Sequence, residues 1–546
     1  MKRYALQTFL LLSFVAILSY INHIWIRYNL SHIPPSWDQS FYIYLGLSEY
    51  DLLRNGDVWG FVKFIFQGSP WAGPLVPITT VPFYFIFGPD IQTAYVVNSL
   101  YLFILFLSVF FIGKRLSGTW AAVLSVFSCA TFPAFIAYPR DYLYEFPLAA
   151  LTALSYFFLF KSDSFRVRKY AVLSGIITGL ALLAKTMGVV FFVVPVVYVI
   201  SYALRDNDSG KRKNTAFFLF SAAAVAMVYY IPNLGRIFGY LFHFGFGKGS
   251  ENYTFGVSVL SFKNWTIYLH DIARRGVSVG YFLLFLLSFV LYVSRKIASS
   301  RDYVMLWLWF IGGYVFLSLT PTKGGERFAL PILAPLAILM SVHLAALPRK
   351  VLKYFMIALV AVVGLTNYSY QTFSARSEYK PFFIGQVQFL SPVHHSYYFQ
   401  QDAGTDYQKP WDPTVLLRSM DSLEQGSRHN ITVLVGVDHH FLNYGIMELY
   451  GKMANMKGLV GHKFTVRTVS YELLNEDEIR RAMNKSDFVV TKAGYLGPAF
   501  SNGNNETVRK LLEGEAPLAT FMMNDGLAAY IYPGGGWLRH GKRAPT

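Results

Sequence analysis

The sequence predicts a polytopic α-helical membrane protein that ends in an α/β domain, and three observations carry that prediction. Hydrophobic residues make up 54% of the chain and charged residues only 14%, against roughly 25% charged residues in an ordinary soluble domain. Apolar runs near the length that crosses about 30 Å of hydrocarbon recur as far as Tyr370 and then stop. Beyond that point, short strand and helix patterns alternate. The chain therefore divides into a membrane region, 1–370, with outer loops at 22–92 and 235–280, and a polar region, 371–546.

The first apolar run, 5–21, follows Lys2-Arg3 as a secretory signal would, but Asn22, His23 and Trp25 stand where a small-residue cleavage site would lie. It reads as an uncleaved anchor with its N-terminus inside. Further spans fall at 96–112, 121–136, 146–160, 171–183, 189–203, 216–231, 281–293, 304–319, 330–347 and 355–366. That makes about eleven crossings. The run 74–87 contains Pro74, Pro77 and Pro82 and reads as a pair of interfacial helices.

Lys and Arg beside helix ends are retained on the cytoplasmic side. Lys2-Arg3, Lys114-Arg115, the groups at 161–169 and 205–213, Arg295-Lys296-Arg301 and Arg349-Lys350-Lys353 all fall on one side of this topology. An odd number of spans then puts the polar region outside a multi-pass protein of the plasma membrane. Topology and contact with anionic membrane lipid account for much of the +17 net charge, so no nucleic-acid partner is called for. The exception is the loop 235–280, where Arg236, Lys248, Lys263, Arg274 and Arg275 invite an anionic ligand on the outer side.

Other ionisable residues at membrane boundaries have no topological reason to be there. They are Asp38 in Pro34-Pro35-Ser36-Trp37-Asp38-Gln39, then Arg140, Asp141 and Glu145, then Lys185, then Lys323, Glu326 and Arg327. Any one of them alone reads as a side chain snorkelling to the interface. All of them on the outer face read as a shared polar site, because ionisable groups at membrane depth are costly and usually functional. Lys and Arg neutralise phosphate, Arg through a bidentate fork. A carboxylate beside them accepts a proton from an attacking hydroxyl. A lipid-phosphate sugar poses that problem, since its leaving group gathers charge while the acceptor needs a base. One carboxylate suffices for an inverting displacement, whereas retention needs a second one as nucleophile.

These residues also carry a resemblance. Pro34-Pro35-Ser36-Trp37-Asp38-Gln39 resembles the acidic first-loop motif of the polyprenyl-phosphate-sugar-dependent, GT-C fold glycosyltransferases related to protein O-mannosyltransferases and aminoarabinose transferases. Gly73-Pro74-Leu75-Val76-Pro77 with Phe87-Gly88 resembles their proline-rich segment. Arg140-Asp141-Tyr142-Leu143-Tyr144-Glu145 before Phe146-Pro147-Leu148 resembles the second-loop motif. Gly179-Leu180-Ala181-Leu182-Leu183-Ala184-Lys185 is similar to the helix that ends in lysine, and Lys323-Gly324-Gly325-Glu326-Arg327 before Leu330-Pro331 to the late basic stretch. The resemblance implies an enzyme that moves a hexosyl or pentosyl group from a polyprenyl-phosphate donor, dolichyl or undecaprenyl, to a hydroxyl of a protein, glycolipid or polysaccharide. It implies Asp38 as the base, Glu145 in support, and Lys185, Lys323, Arg327 and Arg140 at the lipid phosphate. The family's motif is Asp-Glu, whereas Gln39 follows Asp38 here, so a metal site needing the second acid loses its support. No metal ligands are assigned, and a divalent metal is compatible with these residues without being required by them. The alternative reading is a transporter or flippase of a lipid-linked anion, which would use the same cations.

The polar region shows strand patterns at 431–437, 464–469, 488–491 and 528–532, and helical spacing at 443–453 and 506–512. Asn475 with Glu478 predicts a capping box, and Asn524-Asp525-Gly526 predicts a hairpin turn. The pattern suggests a small, partly parallel α/β sheet that shapes acceptor access. It has no glycine-rich phosphate loop in a strand–turn–helix setting. His394-His395 and His439-His440 read as solvated loop residues rather than metal ligands, and 534–546 as a disordered tail. Cys129 is the only cysteine and lies in an apolar span, so no disulfide forms within the chain.

Overall fold

The computed structural model describes residues 2–67, 69, 72–206, 208–247, 250, 257–294, 300–374, 382–385, 387–390, 393, 409–424, 430–471 and 474–539. His394-His395, Lys248 and Arg295-Lys296 lie outside the described residues. The chain forms two compact units. The first comprises Met1–His23, Asp57–Thr80 and Tyr95–His394, and the second Ile24–Gly56, Val81–Ala94 and His395–Thr546.

Among the described residues, six single helices are long and apolar enough to cross a membrane: Leu6–Leu30, Ile91–Thr131, Ser209–Gly245, Arg301–Leu319, Gly325–Ala345 and Lys350–Phe373. Two bent pairs, Pro133–Arg140 with Glu145–Lys161 and Phe262–Gly276 with Val279–Val293, bring the number up to eight when each pair counts as one span. The spans expected beyond these eight fall on divided or shorter helices. Ile91–Thr131 holds two of the expected spans, separated by non-helical backbone at Ser117 and Gly118. Arg168–Ala184 and Val193–Arg205, with 17 and 13 residues, fall short of the roughly 20 that a perpendicular crossing needs. The run expected to be a pair of interfacial helices is one helix, Leu75–Phe87. Pro77 falls in its first turn, where the missing N–H has no intrahelical partner to lose.

Three local devices in the first unit position the charged residues. The pair Pro133–Arg140 and Glu145–Lys161 is bent by 119°, which leaves the carbonyls of the intervening turn without helical partners. Asn98 Nδ2 satisfies two of them, donating to Pro139 O at 3.0 Å and Asp141 O at 2.7 Å, as backbone at membrane depth requires. Helix Arg168–Ala184 lies close against Ser209–Gly245 through Gly175 and Gly179, whose added Cβ atoms would meet Phe218 O at 2.3 Å and Val225 Cβ at 2.6 Å. This small-xxx-small spacing is how membrane helices bring backbones together. The helix stops at Lys185, whose extended backbone (φ −154°, ψ 133°) pairs antiparallel with Ala72.

Gly73 makes that pairing feasible, because a Cβ there would lie 1.8 Å from the Leu183 carbonyl oxygen. Gly73→Ala is therefore expected to push the segment off Lys185 and cost about 1–3 kcal/mol, read as a lower thermal unfolding midpoint of the purified protein. An unchanged midpoint would mean that the bridge does not constrain Lys185.

The second unit is built on a five-stranded sheet. Among the described residues, the strands are β1 (Phe382–Ile384) and β2 (Val387–Leu390), an antiparallel pair in the first unit, then β3 (Ile431–Val435), β4 (Phe464–Thr468), β5 (Phe488–Lys492), β6 (Ala519–Met522) and β7 (Ala528–Pro533). The sheet order is β4-β3-β5-β7-β6. β4, β3 and β5 run parallel, while β7 is antiparallel to both β5 and β6. Leu434, Val469, Ile479, Val489, Val508 and Leu512 form a core on this sheet.

The Asn475–Glu478 capping box is present in both directions, and the turn at Gly526 (φ 75°) joins β6 to β7. Helix Trp37–Arg54, which follows the first apolar run, belongs to this unit and packs on Tyr444–Met456. Lys452 Nζ reaches Asp51 Oδ2 at 2.5 Å across that contact. The tail expected to be disordered starts as a short helix, Gly535–Arg539, because Trp537 is buried against Phe488 and Gly534 N bonds Asp487 O at 2.7 Å. Residues 540–546 lie outside the described residues.

Candidate active site

In the first unit, three residues far apart in sequence converge. Glu145 is the first residue of helix Glu145–Lys161, where a carboxylate faces the positive end of the helix dipole. Its Oε1 accepts from Lys185 Nζ at 2.5 Å and also from Arg327 Nε. Both Glu145 and Lys185 are buried, and the Lys185 ammonium lies 4.8 Å from the centre of the Phe328 ring. One carboxylate oxygen thus holds two cations side by side. Cations gathered at membrane depth are costly and usually functional. Chemically, the trio is suited to an anion.

The structure gives the other cations of the first unit different surroundings. Lys323 donates to the carbonyls of Ser318 at 3.1 Å and Thr320 at 2.6 Å, capping the C-terminal end of helix Arg301–Leu319. Burial pulls its ammonium down to about 8. Arg140 is fully buried and spends its guanidinium on Asn22 Oδ1 at 2.9 Å, Gln371 O at 3.0 Å and Thr372 Oγ1 at 2.8 Å. Those bonds tie three chain segments together. Glu326 receives the Tyr138 hydroxyl at 3.3 Å and has Arg275 at 3.9 Å. Arg275 stands on the π-helical turn Ile272–Gly276, so part of the basic loop flagged in the sequence serves an internal acid.

In the second unit, Asp38 lies in the first turn of helix Trp37–Arg54 and is partly exposed. The residue before it, Trp37, has φ 34°, in the left-handed region that costs a large side chain of order 1–3 kcal/mol. The indole is held in return. Trp37 Nε1 donates to Asp438 Oδ1 at 3.1 Å, and the ring lies 5.7 Å from that of His440.

Asp438 follows the carboxyl end of β3, a common place for functional side chains in parallel sheets. It is missing from the sequence-based set of candidates, which singled out only the neighbouring histidines. Those histidines are buried rather than solvated. Their rings lie tilted against each other with centroids 4.0 Å apart, His439 Nδ1 accepts from Phe441 N, and His439 Nε2 lies 3.6 Å from Asp525 Oδ2, which Lys492 also contacts at 2.8 Å. Among the described residues, no three His, Cys, Asp or Glu side chains gather as a metal site.

Residues 71–235 match the family model of the dolichyl-phosphate-mannose-protein mannosyltransferases. No curated protein matches the sequence. The fold is similar to the crystal structure of ArnT from Cupriavidus metallidurans bound to undecaprenyl phosphate, with a TM-score of 0.55 at 14% identity over 95% of this chain and 98% of that one. The apo form of the same protein aligns with a TM-score of 0.57 at 13% identity over the same shares. The mycobacterial arabinofuranosyltransferase AftD aligns with a TM-score of 0.50 at 12% identity over 95% of this chain and 40% of AftD. The chain is thus a multi-pass membrane protein of the GT-C glycosyltransferase fold, and over residues 71–235 it carries the sequence pattern of the dolichyl-phosphate-mannose-protein mannosyltransferases.

Proposed function

We propose that this protein transfers a sugar from a polyprenyl-phosphate donor to an acceptor hydroxyl at the outer face of the plasma membrane, with inversion at the anomeric carbon. The observation that carries the proposal is the buried trio of Glu145, Lys185 and Arg327. Two cations held side by side suit the phosphate that departs with the lipid, and Glu145 keeps them in place between turnovers. Asp38 takes the proton of the attacking hydroxyl, and a single base is enough for one inverting displacement. The N-terminus lies inside and the sheet-bearing unit outside, where acceptors of a protein, glycolipid or polysaccharide kind are found. Arg140 and Lys323 support the fold around the site, through the carbonyls and amide oxygen that they bind.

The test is a panel of prenyl-phosphate sugars, hexosyl and pentosyl, offered to the purified protein with disappearance of each donor followed. One class of donor is expected to be consumed. Lys185→Met and Arg327→Met are each expected to raise the donor KM by about tenfold or more, since a hydrogen bond to a charged group contributes roughly 1.5–3 kcal/mol. Wild-type KM in both variants would remove the trio from donor binding.

A further inference from the structure

The contacts around Trp37 give Asp38 a partner that the proposed chemistry does not by itself require. Asp38 follows directly on a residue whose backbone occupies the left-handed region, where glycine is at home and tryptophan is not. Local bonds continue the turn, with Gln39 N donating to Ser36 O at 3.0 Å and Ser40 Oγ to Trp37 O at 2.6 Å. Neither fixes the indole. That is done by Asp438, whose Oδ1 and main-chain oxygen accept from Trp37 Nε1 at 3.1 and 3.3 Å.

Asp438 is itself firmly placed. Its N–H donates to Leu496 O at 2.7 Å, and Tyr471 OH donates to the same Oδ1 at 2.8 Å. Gly497 approaches so closely that an added Cβ would meet Asp438 Cβ at 2.9 Å. The loop is also anchored three residues on, because Trp411 gives its N–H to His32 O at 3.0 Å and its indole N–H to Phe441 O at 2.9 Å. The side chain is 1% exposed. Burial, together with the nearby Asp38 charge, pushes its carboxyl up to about 6 against the opposing bonds from Tyr471, Ser501 and Trp37. An acid kept in so poor a place needs compensation elsewhere.

We propose that Asp438 is a positioning residue for Asp38: by holding the Trp37 indole it maintains the strained turn that sets where the Asp38 carboxylate points. This rests on the reading of Asp38 as the base, and it adds that the sheet-bearing unit takes part in aligning that base. Asp438 exchanges no proton with substrate in this scheme. Its effect on the turn passes through the Trp37 indole, so the two residues act as one device.

The experiment uses the full-length protein and the prenyl-phosphate sugar that it consumes. Asp438→Ala is expected to lower kcat by about 10- to 100-fold while donor KM stays within about twofold, since misplacing a reacting group by an ångström costs on that order. Asp438→Asn, which keeps an oxygen where Oδ1 accepts the indole N–H, is expected to recover most of that loss. Trp37→Phe is expected to match Asp438→Ala, and the double variant to be no slower than the slower single one. Wild-type kcat in Asp438→Ala, or multiplicative effects in the double variant, would overturn the proposal.

A structure of Trp37→Phe or Asp438→Ala gives a readout that needs no turnover. Residue 37 is expected to relax to negative φ, and an unmoved backbone would overturn the proposal equally. Asp38→Asn run alongside separates the two claims, because normal transfer in that variant refutes the base whatever residue 37 does.

Discussion

Asp38→Asn is expected to lower transfer by about 10²- to 10⁴-fold, the usual contribution of a positioned base, with normal membrane insertion, yield and thermal midpoint. The amide keeps the shape of the side chain and removes only its ability to take a proton. Stability should barely move, because a partly exposed acid in the first turn of a helix, as Asp38 is, contributes about 0.3–1 kcal/mol. The measurement is kcat with saturating donor and acceptor, beside thermal unfolding of the same preparation. Unaltered kcat would take Asp38 out of the chemistry; a collapse in the midpoint would show that it holds the fold instead.

Glu145→Leu is expected to produce the largest loss of stability among single substitutions in the first unit, about 3–5 kcal/mol. Lys185 and Arg327 both lean on one oxygen of this buried carboxylate, and its removal leaves two cations facing each other. The triple variant Glu145→Leu, Lys185→Met, Arg327→Met should unfold later than Glu145→Leu alone, because replacing a whole buried ion cluster with apolar side chains is often close to neutral. It should also bind donor poorly. If Glu145→Leu unfolds at the wild-type midpoint, the trio carries no buried charge cost and the argument for an anion site fails.

These two variants also show what was legible in the sequence. Asp38, Glu145, Lys185 and Arg327 stand out because charge at a membrane boundary has few innocent explanations. Their types and order suffice for the resemblance. Their pairing was not legible, since Glu145 meets partners 40 and 182 positions away. Lys323 and Arg140 looked the same as those residues in the sequence, yet the carbonyls they bind come from a helix end and from distant segments, which no local pattern encodes.

Asp438 was hidden for the opposite reason. An acid after a strand is ordinary until Trp37, about 400 residues earlier in the chain, is found donating to it. The adjacent histidines misled because a loop position suggests water, whereas these rings are buried against one another within the unit. Strands β3, β4, β5 and β7 were visible through their apolar, β-branched runs, and the capping box through its spacing. β6 and helix Trp37–Arg54 were not, because the first is a short edge strand and the second mixes polar residues into its buried face.

The central claim is covalent transfer with release of the lipid phosphate. The most direct measurement is to incubate purified protein in vesicles with a labelled prenyl-phosphate sugar and an acceptor, and to quantify free prenyl phosphate and glycosylated acceptor together. We predict equal amounts of both from the wild-type protein and neither above background from Asp38→Asn. Passage of intact lipid-linked sugar across the bilayer, with no prenyl phosphate released, would contradict the account and identify a transporter.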